Sequence, residues 1–450
     1  MKSCRPDFDG VSEFWAPLVY HIRMISKPAT SDERMPSDAE GPGGVPPIDS
    51  PLLLVGAGIV GRAIFDHCLG HGLTVCLADV DASALARVQL GLMSGAEGVR
   101  GYPVSLPVEG LSALGFGDAT AFESFRPWLV LESITERLDL KQNFFAAAAR
   151  AWGPACVLAT NTSNLRVADV FAAVPDHPNA LGMHFFVPVG QRPLVELIPR
   201  EATPSSALES CREFALRLGK DSLQTGDQPG FVVNRLLAPY LNQSLLLLGR
   251  GVGPSMLHAA ALRFGMPMSP LELIDRIGIR TAFDSGRVFW RAFPKRIDPA
   301  PILPGMIKAG RLGAVAGGGF FDPARVDEKP GDSHPVDPIA QAVIARYARE
   351  ARVWDLDEVV IHLAAPMWIE AAEILADRVV RSTESIELGL RGGLGYRRDF
   401  IPFCDSLGGS MLKVIRENSG AAAFNASQVL IELLEGGHWP ASALNRYAGV

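Results

Sequence analysis

The stretch PLLLVGAGIVGRAIFDHCLG, residues 51–70, holds a short apolar run, a glycine-rich turn and a helical pattern in that order. The run LLLV is uninterrupted by polar residues, which is typical of a buried strand in a parallel sheet. Gly56, Gly58 and Gly61 then follow with the spacing G-x-G-x-x-G. The pattern of residues 59–70 predicts a helix. A strand, a glycine turn and a helix in this order predict a doubly wound α/β unit that begins here.

Each glycine of this turn suits the binding of a dinucleotide. Gly56 allows the tight turn, Gly58 lets the backbone approach a pyrophosphate, and Gly61 lets the helix and strand pack closely. The helix start at Ile59 and Val60 offers free N–H groups and the positive end of the helix dipole to phosphates. The alternative is a glycine turn without a ligand, which this order of elements makes the less favoured interpretation.

A second short apolar run, residues 74–78, ends at Asp79, which lies 18 residues after Gly61. A carboxylate at this position would accept a hydrogen bond from the ribose 2′-OH and would repel a 2′-phosphate. We therefore expect the cofactor NAD rather than NADP.

Further apolar runs over residues 128–131 and 156–160 are separated by a helix-like stretch over residues 136–151. Residues 180–186 and 194–198 look like the last strands of the same parallel sheet. Helical patterns dominate from residue 231 onward. Residues 231–248 are apolar nearly all round, which predicts a buried helix.

An internal repeat follows in the helical part of the chain. Residues 234–240, NRLLAPY, align with residues 361–367, IHLAAPM, and residues 273–278 align with residues 403–408 at nearly the same spacing. A spacing of about 127 residues is too long for a solenoid and indicates a duplicated helical domain. The second copy has Ile361 in place of Asn234, so we expect it to be structural, either packing on the first copy or forming an interface.

The predicted fold is therefore an α/β Rossmann-type doubly wound domain followed by two duplicated all-α domains. The predicted boundaries are a flexible N-terminal extension over 1–50, the NAD-binding domain over 51–227, the first helical domain over 228–325, a linker over 326–356 and the second helical domain, a degenerate repeat, over 357–450. Proline and glycine clusters mark the extension, whose acidic residues argue against a transit peptide.

Composition excludes several classes of function. The net charge of −7 gives no support for a nucleic-acid partner. No apolar run approaches the roughly 20 residues needed to span a bilayer, and the longest, residues 241–248, is bounded by polar residues and glycine. The six cysteines are scattered without a C-x-x-C pair, so we expect no metal site. Such cysteines fit a reducing compartment, and we expect a cytoplasmic protein.

Four polar residues stand at positions where catalytic groups occur. His184 lies near the end of a predicted strand, where ligands of such sheets bind, although a lone histidine there is more often structural. Glu196 is a carboxylate within an apolar strand and needs a partner, which an imidazole or an arginine would serve. Ser163 after a strand and Asn234 at a helix start would by default be turn or capping residues.

The glycine loop, the strand ends and the start of the buried helix together resemble the 3-hydroxyacyl-CoA dehydrogenase family. The resemblance runs from about residue 52 to residue 321 and is carried by VGAG with Gly61, LE at 131–132 with Glu136, Leu138 and Lys141, TNTS at 160–163, HFF at 184–186 with Pro188, PGFVVNRLL at 229–237 and FGMPMSP at 264–270. The second helical copy makes the chain similar to the dehydrogenase half of the multifunctional fatty-acid oxidation α-subunit, without the hydratase half.

The resemblance implies a role for each matching residue. His184 matches the catalytic base and Glu196 its orienting carboxylate, while Ser163 and Asn234 match groups that hold the substrate's C3 oxygen. The implied cofactor-binding set is Gly56, Gly58, Ile59, Val60, Gly61, Asp79, Glu136, Lys141 and Asn161, of which Glu136 and Lys141 match residues near the nicotinamide and the substrate channel.

The implied activity is oxidation of an L-3-hydroxyacyl-CoA to the 3-oxoacyl-CoA with NAD. The implied partners are the acyl-CoA substrate together with a second copy of the chain, a thiolase or a hydratase. Three features depart from the family pattern. Val187 replaces an asparagine, residues 312–321 lack the usual Lys-Thr, and residues 84–100 are poor in lysine.

Two alternatives stay open at this point. One is a related NAD dehydrogenase acting on another 3-hydroxy acid or a sugar acid, which would keep His184 and Glu196 and lose the CoA contacts. The other is a non-catalytic nucleotide-binding or assembly protein, which would bind NAD without turnover.

Overall fold

A computed structural model describes residues 51–93, 101–105, 126–322, 335–349 and 352–424, together with residue 444. The chain divides into two compact units. The first comprises Met1–Thr162, Val167–Gln191 and Leu197–Lys220, and the second comprises Ser163–Arg166, Arg192–Glu196 and Asp221–Val450, in each case as far as those residues are described. The predicted extension over residues 1–50 lies outside the described residues.

An eight-stranded sheet has the order β3-β2-β1-β4-β5-β6-β7-β8. The strands are β1 (Leu52–Val55), β2 (Val75–Asp79), β3 (Gly101–Ser105), β4 (Leu129–Glu132), β5 (Val157–Thr160), β6 (Ala180–Phe185), β7 (Leu194–Pro199) and β8 (Asp221–Gln224). The pairings from β3 through to β6 are parallel, and Leu52 of β1 lies opposite Val75 on one side and Leu129 on the other. This order confirms the predicted Rossmann-type sheet, with β1 near its middle.

In the described part of the chain, five α-helices accompany these strands: α1 (Ile59–Gly70), α2 (Ala82–Met93), α3 (Leu138–Trp152), α4 (Val167–Val170) and α5 (Ser205–Arg217). Helix α1 has the predicted bounds. Strands β1, β4 and β5 are buried along their whole length, as expected for parallel strands covered on both faces. Because these strands run the same way, their carboxyl ends meet at one edge of the sheet.

The sheet extends further than predicted. Residues 194–198 were predicted as the last strand, whereas β8 follows, and neither β3 nor helix α5 was predicted. Residues Asp221 and Gln224 of β8 are exposed, and the short run DSLQ lacks the apolar character on which strand prediction depends.

Beyond β8, the second unit is mainly helical. Its longer helices among the described residues are α6 (Val233–Gly249), α7 (Pro254–Phe264), α8 (Pro270–Ile277), α9 (Ile279–Ala292), α10 (Ile302–Lys308), α11 (Pro338–Tyr347), α12 (Leu356–Ala376), α13 (Thr383–Leu388), a π-helix over Gly389–Leu394 and α14 (Phe400–Glu417). Helix α12 packs against α6, α7 and α14. The second helical segment therefore packs on the first, which is one of the two roles predicted for it.

Helix α6 is mostly buried, as predicted, but it begins two residues later than expected. Gly230 has φ +81° and Phe231 has φ +49°, a left-handed conformation that a right-handed helix cannot include. Both α6 and α12 contain an internal proline, Pro239 and Pro366, and these prolines stand at equivalent positions of the sequence repeat. The repeat in the sequence therefore corresponds to equivalent helices.

Helix α12 corrects the sequence analysis, which took residues 241–248 as the longest apolar candidate. By length and composition α12 is apolar enough to cross a membrane, yet 94% of its most apolar window is buried inside the structure. A core helix meets the same criteria, so α12 is weak evidence for a membrane span.

Part of the segment predicted as a linker is also helical. Helix α11 lies within residues 326–356 and begins with Pro338, a residue that the first helical turn tolerates. The Asp337 carboxylate accepts hydrogen bonds from the N–H groups of Ile339 and Ala340. An Asp-Pro pair before an apolar run is a helix-start signal that the polar surroundings obscured.

A buried charge cluster joins α6 to α12. The Arg235 guanidinium donates to Glu370 at 2.6 Å and to Asp377 at 3.0 Å, and it stacks over the Phe293 ring. Arg296 donates to Glu373 at 2.8 Å. Burial raises the pKa of Glu370, while Arg235 and then Arg296 oppose that shift. The ion pairs compensate for the cost of burying these charges, so the two helical segments share one polar core.

The carboxylate of Asp275, near the end of α8, holds the glycine-rich segment that follows α10. It accepts N–H bonds from Phe320 at 2.8 Å and from Phe321 at 2.9 Å. A Cβ added to Gly319 would lie 1.9 Å from a carboxylate oxygen, so no larger residue fits at that position. Burial is the largest effect on this group and raises its pKa to about 6.

This shift predicts a pH-dependent stability. Between its ordinary pKa of 3.8 and about 6, Asp275 binds a proton more readily in the folded chain than in the unfolded chain. Its contribution to stability is therefore present below pH 3.8 and is lost as the pH rises through about 6. We expect the free energy of unfolding of the wild type to fall by about 1 kcal/mol, relative to Asp275→Asn, between pH 5 and pH 7.5. Urea unfolding of both proteins at each pH measures this difference, and equal pH dependences would contradict it.

Candidate active site

The glycine loop between β1 and α1 is closely packed on one side and open on the other. Gly56 has φ +109°, and a Cβ there would lie 2.4 Å from the carbonyl oxygen of Ser133. A Cβ on Gly61 would lie 1.8 Å from the carbonyl oxygen of Gly56. Gly58 differs, because no protein atom lies within 4 Å of the place where its Cβ would be. Gly56 and Gly61 are therefore required by packing, while Gly58 leaves space for an approaching group.

Helix α1 presents its amino terminus beside this open position. Gly58 precedes the helix, no side chain caps it, and its first turn contains no acidic residue. Ile59 is 71% exposed and Val60 is half-buried. The N–H groups of this turn and the positive end of the helix dipole can therefore hold the phosphates of a dinucleotide.

Asp79 ends β2 next to the same loop. One carboxylate oxygen accepts the N–H of Ala57 at 2.5 Å and the other accepts the N–H of Asp81 at 2.7 Å. A carboxylate can accept about four hydrogen bonds, so capacity remains for a ribose hydroxyl. The structure thus brings the loop and the predicted ribose-binding acid together.

A buried ion pair lies at the carboxyl end of β4. Lys141 of α3 donates to the Glu132 carboxylate at 2.6 Å, and both side chains are almost completely buried. Glu132 also accepts from the Thr160 hydroxyl at 2.8 Å. Burial raises the pKa of Glu132, while Lys141 opposes that shift. This pair fixes the ends of β4 and β5 against α3.

Glu136 extends this network to the half-buried region beside it. One of its oxygens lies 3.4 Å from the Lys141 ammonium, and the other accepts from the Thr162 hydroxyl at 2.6 Å. The Lys141 ammonium group is buried on Glu132, and its place near the nicotinamide and the substrate channel stays a prediction. Glu136 is more exposed than either residue of the ion pair and is better placed to face a ligand.

Asn161 joins three of the strand ends. Its amide nitrogen donates to Ser133 at 3.1 Å, and its amide oxygen accepts the N–H of Phe185 at 2.8 Å. Phe185 follows His184, so Asn161 holds the backbone beside that histidine. His184 itself is 5% exposed, and its ring packs edge-on against Phe186 with 4.6 Å between ring centroids.

Glu196 lies in the second unit and is completely buried. Its Oε1 accepts the N–H groups of Val232 and Val233, each at 3.0 Å. These residues stand at the start of α6, so the carboxylate satisfies two of the N–H groups that a helix start leaves without helical partners.

Ser163 and Asn234 also lie together in the second unit. The Asn234 side chain donates to the carbonyl oxygen of Ser163 at 3.5 Å, and Asn164 donates to the Ser163 hydroxyl at 2.8 Å. The N-cap residue of α6 is Val232, so Asn234 is not the helix cap that its position suggests.

No role was predicted for Glu132 from the sequence, although it belongs to the matching block LE at residues 131–132. Its signal is a charged residue at the end of the apolar run LVLE, where a buried carboxylate needs a cationic partner. The partner, Lys141, is separated from it by nine positions of loop and helix, so the run by itself does not identify the pair.

Comparison with known proteins assigns both parts of the chain to one family. Residues 52–228 match the family model described as the 3-hydroxyacyl-CoA dehydrogenase NAD-binding domain, and residues 230–323 match the C-terminal domain of the same family. The fatty acid oxidation complex subunit alpha of Pseudomonas savastanoi pv. phaseolicola is 29% identical over 84% of this chain and 53% of its own length. The chain thus spans about half the length of the curated relatives it matches.

Solved structures show the same fold. The 3-hydroxybutyryl-CoA dehydrogenase of Escherichia coli aligns with a TM-score of 0.65 at 24% identity, over 86% of this chain and 99% of its own. The (S)-3-hydroxybutyryl-CoA dehydrogenase of Ralstonia eutropha aligns with a TM-score of 0.51 at 28% identity, over 60% of this chain and 97% of its own.

The open space at Gly58 predicts a variant that folds but binds cofactor weakly. A methyl group in Gly58→Ala meets no protein atom, so the melting temperature should stay close to that of the wild type. It would obstruct the close approach of a pyrophosphate, and we expect NADH affinity to fall by at least about tenfold. Fluorescence titration with NADH measures the affinity.

Gly70→Ala is the matched control, because Gly70 ends the same helix and its added Cβ also meets no protein atom within 4 Å. Its NADH affinity should equal that of the wild type. If Gly58→Ala binds NADH as tightly as Gly70→Ala does, the loop does not hold the dinucleotide in the way described.

Proposed function

Because the chain belongs to the 3-hydroxyacyl-CoA dehydrogenase family of NAD-dependent oxidoreductases, we propose that it oxidises an L-3-hydroxyacyl-CoA to the 3-oxoacyl-CoA, as in fatty-acid β-oxidation. The observation that carries this proposal is that Asn234 contacts Ser163 while Glu196 holds the first turn of the helix that bears Asn234. NAD is the cofactor of the matched domain, and when bound it supplies the hydride acceptor.

His184 is the proposed general base. Oxidation of a secondary alcohol requires removal of the hydroxyl proton, and an imidazole is suited to proton transfer near neutral pH. Its place at the carboxyl end of β6 supports this role, because ligands of such sheets bind at that edge. Asn161 fixes the backbone that carries it.

Glu196 is proposed to orient His184 and to stabilise the imidazolium that forms, as carboxylates do in other His-carboxylate pairs. The N–H bonds from Val232 and Val233 hold this carboxylate rigidly and keep it compatible with complete burial. Its strand, β7, is the neighbour of β6 in the sheet order.

Ser163 and Asn234 are proposed to hold the C3 oxygen of the substrate. Polar donors at this oxygen would stabilise charge that develops there and would fix its angle to the nicotinamide. The contact between the Asn234 amide and the Ser163 backbone supports this, because it keeps the two residues together.

The remaining site residues are proposed to bind the cofactor. The phosphates would lie on the N–H groups that begin with Ile59 and Val60, and the adenosine ribose would donate to Asp79. Glu136 would line the nicotinamide side, while Lys141 would act through Glu132 by fixing the strand ends.

The partners and location are proposed on the same basis. The acyl-CoA is the proposed small-molecule partner. A second copy of the chain, a thiolase or a hydratase is the proposed protein partner, since the curated relatives are named as subunits of a complex. We propose a cytoplasmic location.

The alternative substrate class rests on a specific departure. Val187, which replaces the asparagine usual after His-Phe-Phe, is 48% exposed, so an apolar side chain stands where the family places a polar one. A dehydrogenase of another 3-hydroxy acid or a sugar acid would tolerate this change.

A substrate comparison separates the two classes. We expect NADH formation with L-3-hydroxyacyl-CoA thioesters at a kcat/KM at least about 100-fold above that for the corresponding free 3-hydroxy acids, because lost contacts to the CoA moiety forfeit binding energy. Initial rates at 340 nm across several chain lengths measure this. Faster turnover of the free acids or of sugar acids would favour the alternative, and NADH binding without turnover of any of them would identify a non-catalytic protein.

The proposed base gives a second test. His184→Ala should lower kcat by about 10²- to 10⁴-fold, since that is the usual contribution of a general base. NADH affinity should stay unchanged. His71→Ala is the control, because His71 is exposed in the turn after α1. Full activity of His184→Ala would overturn the mechanism.

A further inference from the structure

The second helical copy lacks the asparagine of the first, yet one of its segments packs directly behind the residues that hold Glu196. This segment is the π-helix Gly389–Leu394, with the sequence GLRGGL. It packs against α6. Its three glycines are buried, and each approaches a residue next to the Glu196 carboxylate.

The approaches at Gly392 and Gly393 are too close for a Cβ, and the approach at Gly389 is tight. A Cβ on Gly393 would lie 2.7 Å from both γ-carbons of Val233, and a Cβ on Gly392 would lie 2.7 Å from the Cβ of Leu194. A Cβ on Gly389 would lie 3.1 Å from a γ-carbon of Val232. Distances under about 3 Å force a shift of one partner, because protein interiors are closely packed.

Each contacted residue is linked to Glu196 through the backbone. Val232 and Val233 donate their N–H groups to the carboxylate. Leu194 stands two residues before Glu196 on β7, and residues two apart on a strand face the same side of the sheet. The π-helix therefore contacts both the strand that carries the carboxylate and the two residues that hold it.

Val233 has little freedom to yield to a larger neighbour. It is completely buried, and a β-branched side chain within a helix is confined mainly to one rotamer. A methyl group on Gly393 would therefore displace the backbone of the first turn of α6, together with the N–H groups that it presents to Glu196.

We propose that Gly392 and Gly393 of the second copy are positioning residues for Glu196. They allow the π-helix to hold β7 and the first turn of α6 at the separation at which one carboxylate oxygen accepts both N–H groups. This inference rests on the proposed function for its effect on catalysis. The contact itself can be tested without any turnover.

The test compares Gly393→Ala with Gly409→Ala. Gly409 belongs to α14 of the same copy, and its added Cβ would meet no protein atom within 4 Å. Hydrogen–deuterium exchange followed by mass spectrometry reports on the peptide that contains Val232 and Val233. We expect that peptide to exchange at least about tenfold faster in Gly393→Ala than in Gly409→Ala, because the hydrogen bonds to Glu196 are weakened.

The catalytic measurement compares the change in kcat with the changes in KM and in NADH affinity. We expect kcat of Gly393→Ala to fall by about tenfold or more, since small misplacements of a catalytic group are costly. NADH affinity and the KM for the hydroxyacyl-CoA should change by less than about twofold. Because unfolded protein would also lower the apparent kcat at constant KM, kcat is expressed per NADH-binding site counted by titration.

A compensating reduction in the size of Val233 tests whether steric overlap with residue 393 causes the effect. Val233→Ala removes the two γ-carbons that the new methyl group would meet, so the double variant Gly393→Ala with Val233→Ala should recover most of kcat and of the amide protection. If Gly393→Ala does not fold, this double variant decides the question. A folded double variant that still exchanges rapidly overturns the proposal.

Two other results have distinct meanings. Equal exchange and equal kcat in Gly393→Ala and Gly409→Ala would overturn the positioning role. A wild type that turns over no hydroxyacyl-CoA would overturn the proposed function, while the exchange measurements would still support or overturn the contact.

Discussion

The Glu196 carboxylate accepts two consecutive backbone N–H groups at the start of α6, and this interaction satisfies both partners at once. A helix start leaves several N–H groups without helical partners, and the N-cap residue of α6, Val232, makes no side-chain hydrogen bond to them. A completely buried carboxylate would be prohibitively costly without hydrogen-bond donors. The N–H groups of the helix start thus offset the free-energy cost of burying the carboxylate, and the carboxylate gives those N–H groups an acceptor. Because Asn234 follows Val233 directly, the same interaction also determines where its amide stands.

The same requirement accounts for the other buried charges. Glu132 and Lys141 are buried together, and the pair fixes the ends of β4 and β5 against α3. Arg235 is buried on Glu370, which ties the two helical segments together. A buried pair of this kind adds little stability relative to an apolar pair, but a single member left alone is strongly destabilising. These pairs therefore specify which strand end meets which helix, more than they add to the total stability.

Sequence patterns predicted the elements whose signal is local. The run before Gly56 and the bounds of α1 follow from apolar continuity and glycine spacing. Strand β8 was missed because its side chains are partly exposed, and α11 was missed because a polar context surrounds its Asp337-Pro338 start. Among the site residues, the glycine loop and Asp79 could be predicted because their spacing along the chain is characteristic. The role of Glu132 depends on a partner that only the folded chain brings to it, so no local pattern could assign it.

The duplication explains why α12 is so apolar. In the first copy, Asn234 stands in the first turn of α6, and its amide donates to the carbonyl oxygen of Ser163. The second copy has Ile361 at the equivalent position, and residues 359–375 are buried throughout. Because its side chain at this position is apolar, α12 can be buried among other helices. The polar residues it retains, Glu370 and Glu373, pair with arginines of the first copy rather than with solvent. The second copy has thus become part of the core of the first, which is why a substitution in it can act on the helix start that holds Glu196.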